Sequence, residues 1–277
     1  MLKTRVITAV VLLAVLLAVL FGDFYPGFVA VILAFLLAGI TEGFQLFGRS
    51  RKQSLIIGVF WTAAFAYAFL YQQNPQAYKL WFVLSTAFWL LRFVPCLATG
   101  LPPLATTRNT VIGYMYPISV IACFAAIVMF FKVSAVYLLS VMALVWIADI
   151  FAYFCGKAFG KRKLAPTISP GKSWEGAIGG GIFVLLISAA VILFGGEALA
   201  GTFVVAVQAK FGWAMTLLIL MVITAASVVG DLFESQLKRR AGVKDSSNLL
   251  PGHGGVLDRI DALIPVLPLA ALIHTAL

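Results

Sequence analysis

Charge is scarce in this chain. Of 277 residues only 11% are charged while 62% are hydrophobic, and the mean hydropathy is +1.06. So little charge cannot clothe a soluble surface, whereas the length suffices for several membrane spans of about 20 residues each. Cysteine is scarce too. Cys96, Cys123 and Cys155 lie in or beside apolar runs without C-x-x-C spacing, which leaves no disulfide framework or zinc site and suits small buried hydrophobes. The only histidines are His253 and His274, too few for a zinc site. After the first apolar run, 6–20, the stretch 21–27 offers no small-x-small cleavage site, so the run reads as a retained span rather than a removed signal. The ten-residue alternation of a barrel strand is missing, and long continuous runs point to helices. No aromatic-basic interleaving outside these runs suggests nucleic acid as a partner.

Long apolar segments dominate what is present. They fall near 5–21, 28–47, 54–71, 78–93, 111–131, 135–155, 175–194, 213–233 and 260–276. The expected fold is therefore all-α, a polytopic integral membrane protein of about nine transmembrane helices. The stretch 195–211 is short and glycine-interrupted, and reads as a loop or re-entrant piece. Pro265 and Pro268 in the final segment are tolerable in a membrane helix. With the amino-terminus inside, Lys3, Arg5, Arg49, Arg51, Lys52, Arg92, Arg108 and the clusters at 157–172 and 238–259 all face the cytoplasm, leaving only Lys79, Lys132 and Lys210 outside. That asymmetry sets the orientation. The net charge of +10 thus describes one surface, which attracts anionic lipid headgroups and soluble phosphate compounds. Most of the acids lie in the second half. Residues 1–135 read as amino-terminal membrane helices, a scaffold or oligomer contact such as a homodimer, and 136–277 as the catalytic membrane region.

Two polar constellations carry the candidate chemistry. In the first, Asp149 sits near the cytoplasmic end of a span, where a carboxylate marks a functional site or partners a nearby base, and Tyr153 follows one turn on. Gly156 and Gly160, each followed by lysine (Lys157, Lys161), let the backbone approach a ligand while ammonium groups reach its oxygens; Lys161, Arg162 and Lys163 taken alone are equally a membrane anchor. The run from Ser169 through Lys172, Ser173 and Glu175 reads as a loop entering a helix, with Ser173 as cap and a terminus that favours phosphate. Gly171-Lys172-Ser173 ends a Walker A pattern, but no glycine stands at the required upstream position, which rejects a P-loop nucleotidase.

In the second constellation Asp231, Glu234 and Lys238 share a helix face, and Asp258 and Asp261 are one turn apart at the start of the last span. Two helix ends bearing carboxylates can converge on a hard cation. Carboxylates within a basic surround suit Mg²⁺ bridging to phosphate oxygens. His253, between glycines, is a phosphate contact or a stabiliser of its loop, and His274 is incidental.

The block 235–261 reads S-x-L-K-R, four residues, K-D-x-S-x-x-L-P-x-H-G-G-V-x-D-R-I-D. With D-x-x-x-Y-x-x-G-K-x-x-G-K from Asp149 and S-P-x-K-S-x-E-G from Ser169, it resembles the phosphatidate cytidylyltransferases, or CDP-diglyceride synthases. These motifs cover about a third of the chain. The resemblance implies transfer from CTP to phosphatidate, giving CDP-diacylglycerol and pyrophosphate for phospholipid biosynthesis. It places the protein in the bacterial inner (cytoplasmic) membrane with the site on the cytoplasmic side. It implies Mg²⁺, with a second cation left open, on Asp231 and Asp258 with Asp261 in support. By the same resemblance Lys157, Lys161, Lys172, Ser173, Lys238, Arg239, Lys244, His253 and Arg259 bind phosphate and nucleotide, beside Asp149. Competing readings are CTP-dependent transfer to another membrane lipid, as by a polyprenol kinase or an ether-lipid cytidylyltransferase, and a transporter. Against transport, the charges gather at the cytoplasmic ends rather than midplane, and the halves are not paired.

Overall fold

Backbone amides in hydrocarbon have no water to bond, so apolar runs close their hydrogen bonds internally and become helices. The fold, a computed structural model, describes residues 2–22, 24–71 and 75–277, with side chains outside 2–5 and 75–77. The side chains of Lys3 and Arg5, assigned above to the inner face, and Asp23 in the 21–27 stretch lie outside this description.

In chain order the elements are α1 (Leu2–Phe21), α2 (Tyr25–Leu46), α3 (Arg51–Phe65), α4 (Pro75–Phe88), α5 (Val94–Thr99), α6 (Thr107–Val133) and α7 (Ala135–Phe159). A hairpin of β1 (Lys163–Ala165) and β2 (Ser169–Ser173) follows, then α8 (Trp174–Phe194), α9 (Gly196–Leu199), α10 (Phe203–Arg240), α11 (Leu257–Ile260) and α12 (Leu263–His274). Widened π turns, Ala66–Tyr71 and Trp89–Phe93, extend α3 and join α4 to α5. Among the described residues seven helices are long and apolar enough to cross a membrane, and Val6–Phe21 and Leu263–His274 are shorter apolar helices. Each apolar segment of the sequence is thus a helix, as the all-α membrane fold requires.

The stretch 195–211, expected as a loop or re-entrant piece, is largely helical but short. Residues 203–211 are helical, with Phe203 and Val207 buried, and Gly212 at φ 74° and ψ 176° separates them from the rest of α10. They rise only about 14 Å, so they add no span. The Phe203 amide donates to Ser140 Oγ at 2.9 Å, fixing this piece against α7.

α6 is the central helix. Its residues from Ser119 to Val128 are all buried, as expected of a helix that is apolar all round and enclosed by others. α12 packs on α6, α10 and α4, while α2 packs on α3 and α6 and α8 packs on α7 and α10. Outward-facing Ile178, Ile182 and Leu186 on α8, and Ile56, Val59 and Phe60 on α3, are exposed and form the surface that faces lipid. The 47–50, 94–106, 157–173 and 241–256 connections meet at one end of the bundle. Arg240, at the end of α10, reaches two of them and the adjoining ends of α2 and α6. It donates to the Pro102 carbonyl at 2.9 Å, to Asn109 Oδ1 at 2.7 Å and to the Leu46 carbonyl at 3.4 Å, and its guanidinium stacks 5.1 Å from the Phe47 ring centroid.

Candidate active site

The first motif folds around the close packing of α7 on α8. Gly156 and Gly160 were expected to let the backbone approach a ligand; what they chiefly admit is α8. A Cβ at Gly156 would stand 3.2 Å from Ser173 Oγ and one at Gly160 2.7 Å from it, and a Cβ at Gly176 would stand 2.7 Å from the Ala152 carbonyl. Small residues let membrane helices approach this closely. Gly156 also lines the adjoining cavity.

Ser173 caps α8 as expected: its Oγ accepts from the Gly176 amide at 3.2 Å. Glu175 in the first turn accepts from the amides of Lys161 and Arg162, both at 3.1 Å. The turn after α7 is therefore pinned to the start of α8, and the hairpin, paired Lys163 to Ser173 and Ala165 to Ser169, carries Lys172 inward.

Lys172 Nζ lies 2.5 Å from Asp231 Oδ2, and both side chains are about a quarter exposed. They line a cavity of about 460 Å³ with Asp149, Lys157 and Ser173, whose wall continues through apolar Leu164, Ala177 and Val228. Asp231 also accepts from Ser235 Oγ at 3.3 Å. Its charge reaches both Asp149 and Asp261, and so does that of Lys172. Gly230 makes the approach to Asp261 possible, because a Cβ there would stand 2.5 Å from the Asp261 carbonyl.

Two turns further along α10, Lys238 is held between two acids. Its Nζ donates to Asp258 Oδ1 at 2.6 Å and pairs with Glu234 one turn earlier. The other oxygen of Asp258 accepts from the Ser246 amide at 2.8 Å, Ser246 Oγ at 2.7 Å and the Gly255 amide at 2.8 Å. Burial by itself would raise the Asp258 carboxyl, but the bonds from Lys238, Gly255 and Ser246 outweigh it and hold the group below the ordinary carboxylate range.

Past Asp258 a second cavity, of about 450 Å³, is lined by Lys244, Asn248, His253 and Arg259 among others. His253 Nδ1 is buried there without a hydrogen-bond partner among the described residues. The sequence-predicted residues thus fall into two cavities with the Glu234, Lys238 and Asp258 cluster beside them. Three lie apart from both: Asp261, whose Oδ1 accepts from the Ala262 amide at 2.8 Å, and two basic residues. Lys161 is exposed, and Arg239 donates to the Ile168 carbonyl at 3.4 Å. His274 accepts or donates a 2.7 Å bond with the Tyr137 hydroxyl, a structural pairing remote from these residues.

A model of the cytidylyltransferase family matches residues 3–277. The chain belongs to that family. Among curated relatives it is similar to a phosphatidate cytidylyltransferase of Haemophilus influenzae, 55% identical over 132 residues, covering 47% of this chain and 43% of the relative. It is 50% identical over 140 residues to one of Pseudomonas aeruginosa, covering 50% and 48%, and 42% identical over 132 residues to one of Bacillus subtilis, covering 48% and 45%. The chain spans about half the length of the curated relatives it matches.

Oxygen donors alone surround Lys172 and Lys238, a set that fits a hard cation and not zinc. Asp231 fits because it is part-exposed toward the cavity. Asp258 Oδ1 fits through the one bond that a cation would replace, that from Lys238. Among the described residues no three acids, histidines or cysteines stand close enough to hold an ion by themselves, so any such ion needs ligand oxygens from the substrates as well.

Sequence reasoning missed Glu42 on α2, which is buried against the 246–257 loop. A lone acid in an apolar segment was the available signal. Asn109, at the junction of the connections near Arg240, had none.

Proposed function

We propose that this protein transfers a cytidylyl group from CTP to phosphatidate, giving CDP-diacylglycerol and pyrophosphate. The observation that carries the reading is the pairing of a cavity on α10 with one in the loop that follows that helix. One, around Lys172 and Asp231, continues into an apolar wall, as a lipid headgroup with its chains in the bilayer requires. The other, around Lys244, His253 and Arg259, is lined by a polar loop, as a soluble triphosphate requires. Asp231 and Lys238 stand seven residues apart, about 10 Å along the helix.

The phosphomonoester of phosphatidate, with a second pKa of about 6, already carries an anionic oxygen near neutral pH. That oxygen attacks the α-phosphorus of CTP, the bond to the β-phosphate oxygen breaks, and pyrophosphate departs with the electron pair. No protein base is needed. Lys172 holds the lipid phosphate, Lys244 and Arg259 hold the departing phosphates, and the dry wall of the first cavity strengthens these contacts. When bound, Mg²⁺ would be held by Asp231 and Asp258, with Asp261 in support and the remaining ligand oxygens coming from the substrates, and would supply neutralisation of phosphate charge. The site faces the cytoplasm of a bacterial inner membrane, where CTP is available and where the excess of basic residues directs these loops.

Purified protein in detergent, given labelled CTP, Mg²⁺ and phosphatidate, should release pyrophosphate and form a CDP-lipid. Asp231→Asn should abolish most turnover with the protein still folded; near-normal rates at saturating Mg²⁺ would remove Asp231 as a ligand. Phosphorylation of a polyprenol in place of any CDP-lipid would move the assignment to a lipid kinase.

A further inference from the structure

Glu42 lies in α2, far in sequence from every motif, and is 4% exposed. All the donors it meets belong to one loop. Oε1 accepts from Ser247 Oγ at 2.6 Å and from the Val256 amide at 3.1 Å. Oε2 accepts from the Leu257 amide at 2.7 Å and lies 3.2 Å from Ser246 Oγ. These donors sit at the two ends of the loop, so one carboxylate closes its neck. Gly255 leaves the room: a Cβ there would stand 2.1 Å from Ser246 Oγ and 2.6 Å from Glu42 Oε1.

The closed neck fixes what hangs from it. Between its ends lie Asn248, Pro251 and His253, which line the second cavity. At its base the Ser246 amide and hydroxyl and the Gly255 amide bond Asp258, which in turn holds Lys238. Ser246 has a single hydroxyl proton and two carboxylates within reach, and the shorter contact goes to Asp258. Glu42 lines neither cavity, so any influence on the reaction passes through the loop.

We infer that Glu42 is a positioning residue that presets the loop for the nucleotide, so that its loss weakens use of CTP and not of the lipid. The inference rests on the cytidylyltransferase reading above. A general structural latch predicts something different, since loss of folded protein lowers turnover at every substrate concentration alike.

Glu42→Gln keeps the volume of the side chain but presents an amide nitrogen to donors, so one end of the neck loses its acceptor. The expected result is a rise in KM for CTP of about ten-fold, with KM for phosphatidate within about two-fold. Amide hydrogen exchange at Val256 and Leu257 should speed up. Glu197→Gln, at an exposed acid outside the site, should match the unaltered protein. If Glu42→Gln does not yield folded protein, Ser247→Ala removes one donor from the neck and should raise KM for CTP about three-fold, again with the lipid spared. Unchanged KM for CTP, or equal rises for both substrates, would overturn the inference. Should the unaltered protein consume no CTP, the activity itself falls; faster exchange at Val256 and Leu257 in Glu42→Gln would then still support the clamp.

Discussion

Replacing Lys238 by methionine tests how far the polar cluster is a matter of stability as well as chemistry. The lysine side chain is 13% exposed, that of Glu234 0% and that of Asp258 4%, so solvent screens little of the interaction. Methionine keeps most of the hydrocarbon stem and removes the charge. Asp258 retains three donors from Ser246 and Gly255. Glu234 retains none, because its oxygens meet no other hydrogen-bond donor among the described residues. Breaking a buried pair by removing one partner costs about 3–5 kcal/mol, here mostly the burden of Glu234 left alone. In a chain of this size that lowers the thermal midpoint by on the order of 10 °C. The assay is thermal unfolding in detergent followed by tryptophan fluorescence, comparing Lys238→Met with Lys238→Met/Glu234→Gln. The double variant removes both charges and should recover most of the midpoint, while turnover stays low because Asp258 Oδ1 has lost its partner. A single variant within about 2 °C of the unaltered protein, or a double variant no more stable than the single, would refute this account.

Lys172→Ala should reduce turnover about ten-fold or more, whereas Lys52→Ala, an exposed charge assigned to the same membrane face, should leave it within about two-fold; equal losses, both erased by added salt, would mean the bases act through surface potential alone. Gly255→Ala should cost about 1–3 kcal/mol of stability through overpacking against Ser246 and Glu42 and should slow CTP use; an unaltered melting profile with normal kinetics would show that the neck yields easily. Cysteines placed at Gly171 and Asn248 should resist an impermeant thiol reagent in intact cells, and labelling of both would reverse the orientation read from the basic residues.

The sequence by itself determined the spans and the clustering of the polar motifs. Both follow from solvation: a run of twenty apolar residues has only one favourable place, and lysines and arginines resist crossing the bilayer. Ser173 as helix cap with Glu175 in the first turn was also legible, because a cap is made between residues close in sequence. Lipid and protein interior are equally apolar, so hydropathy could not tell that Ser119 to Val128 form the buried centre while Ile178 and Ile182 face outward. Nor could spacing reveal that Gly156 and Gly176 serve helix packing, or that 203–211 folds as a helix ahead of Gly212. Only the tertiary structure decided that the candidate residues divide between two cavities. Only it set Glu42 against a loop more than 200 residues away, since such a contact is made by the stacking of α2 beside α11 and leaves no periodicity in the chain.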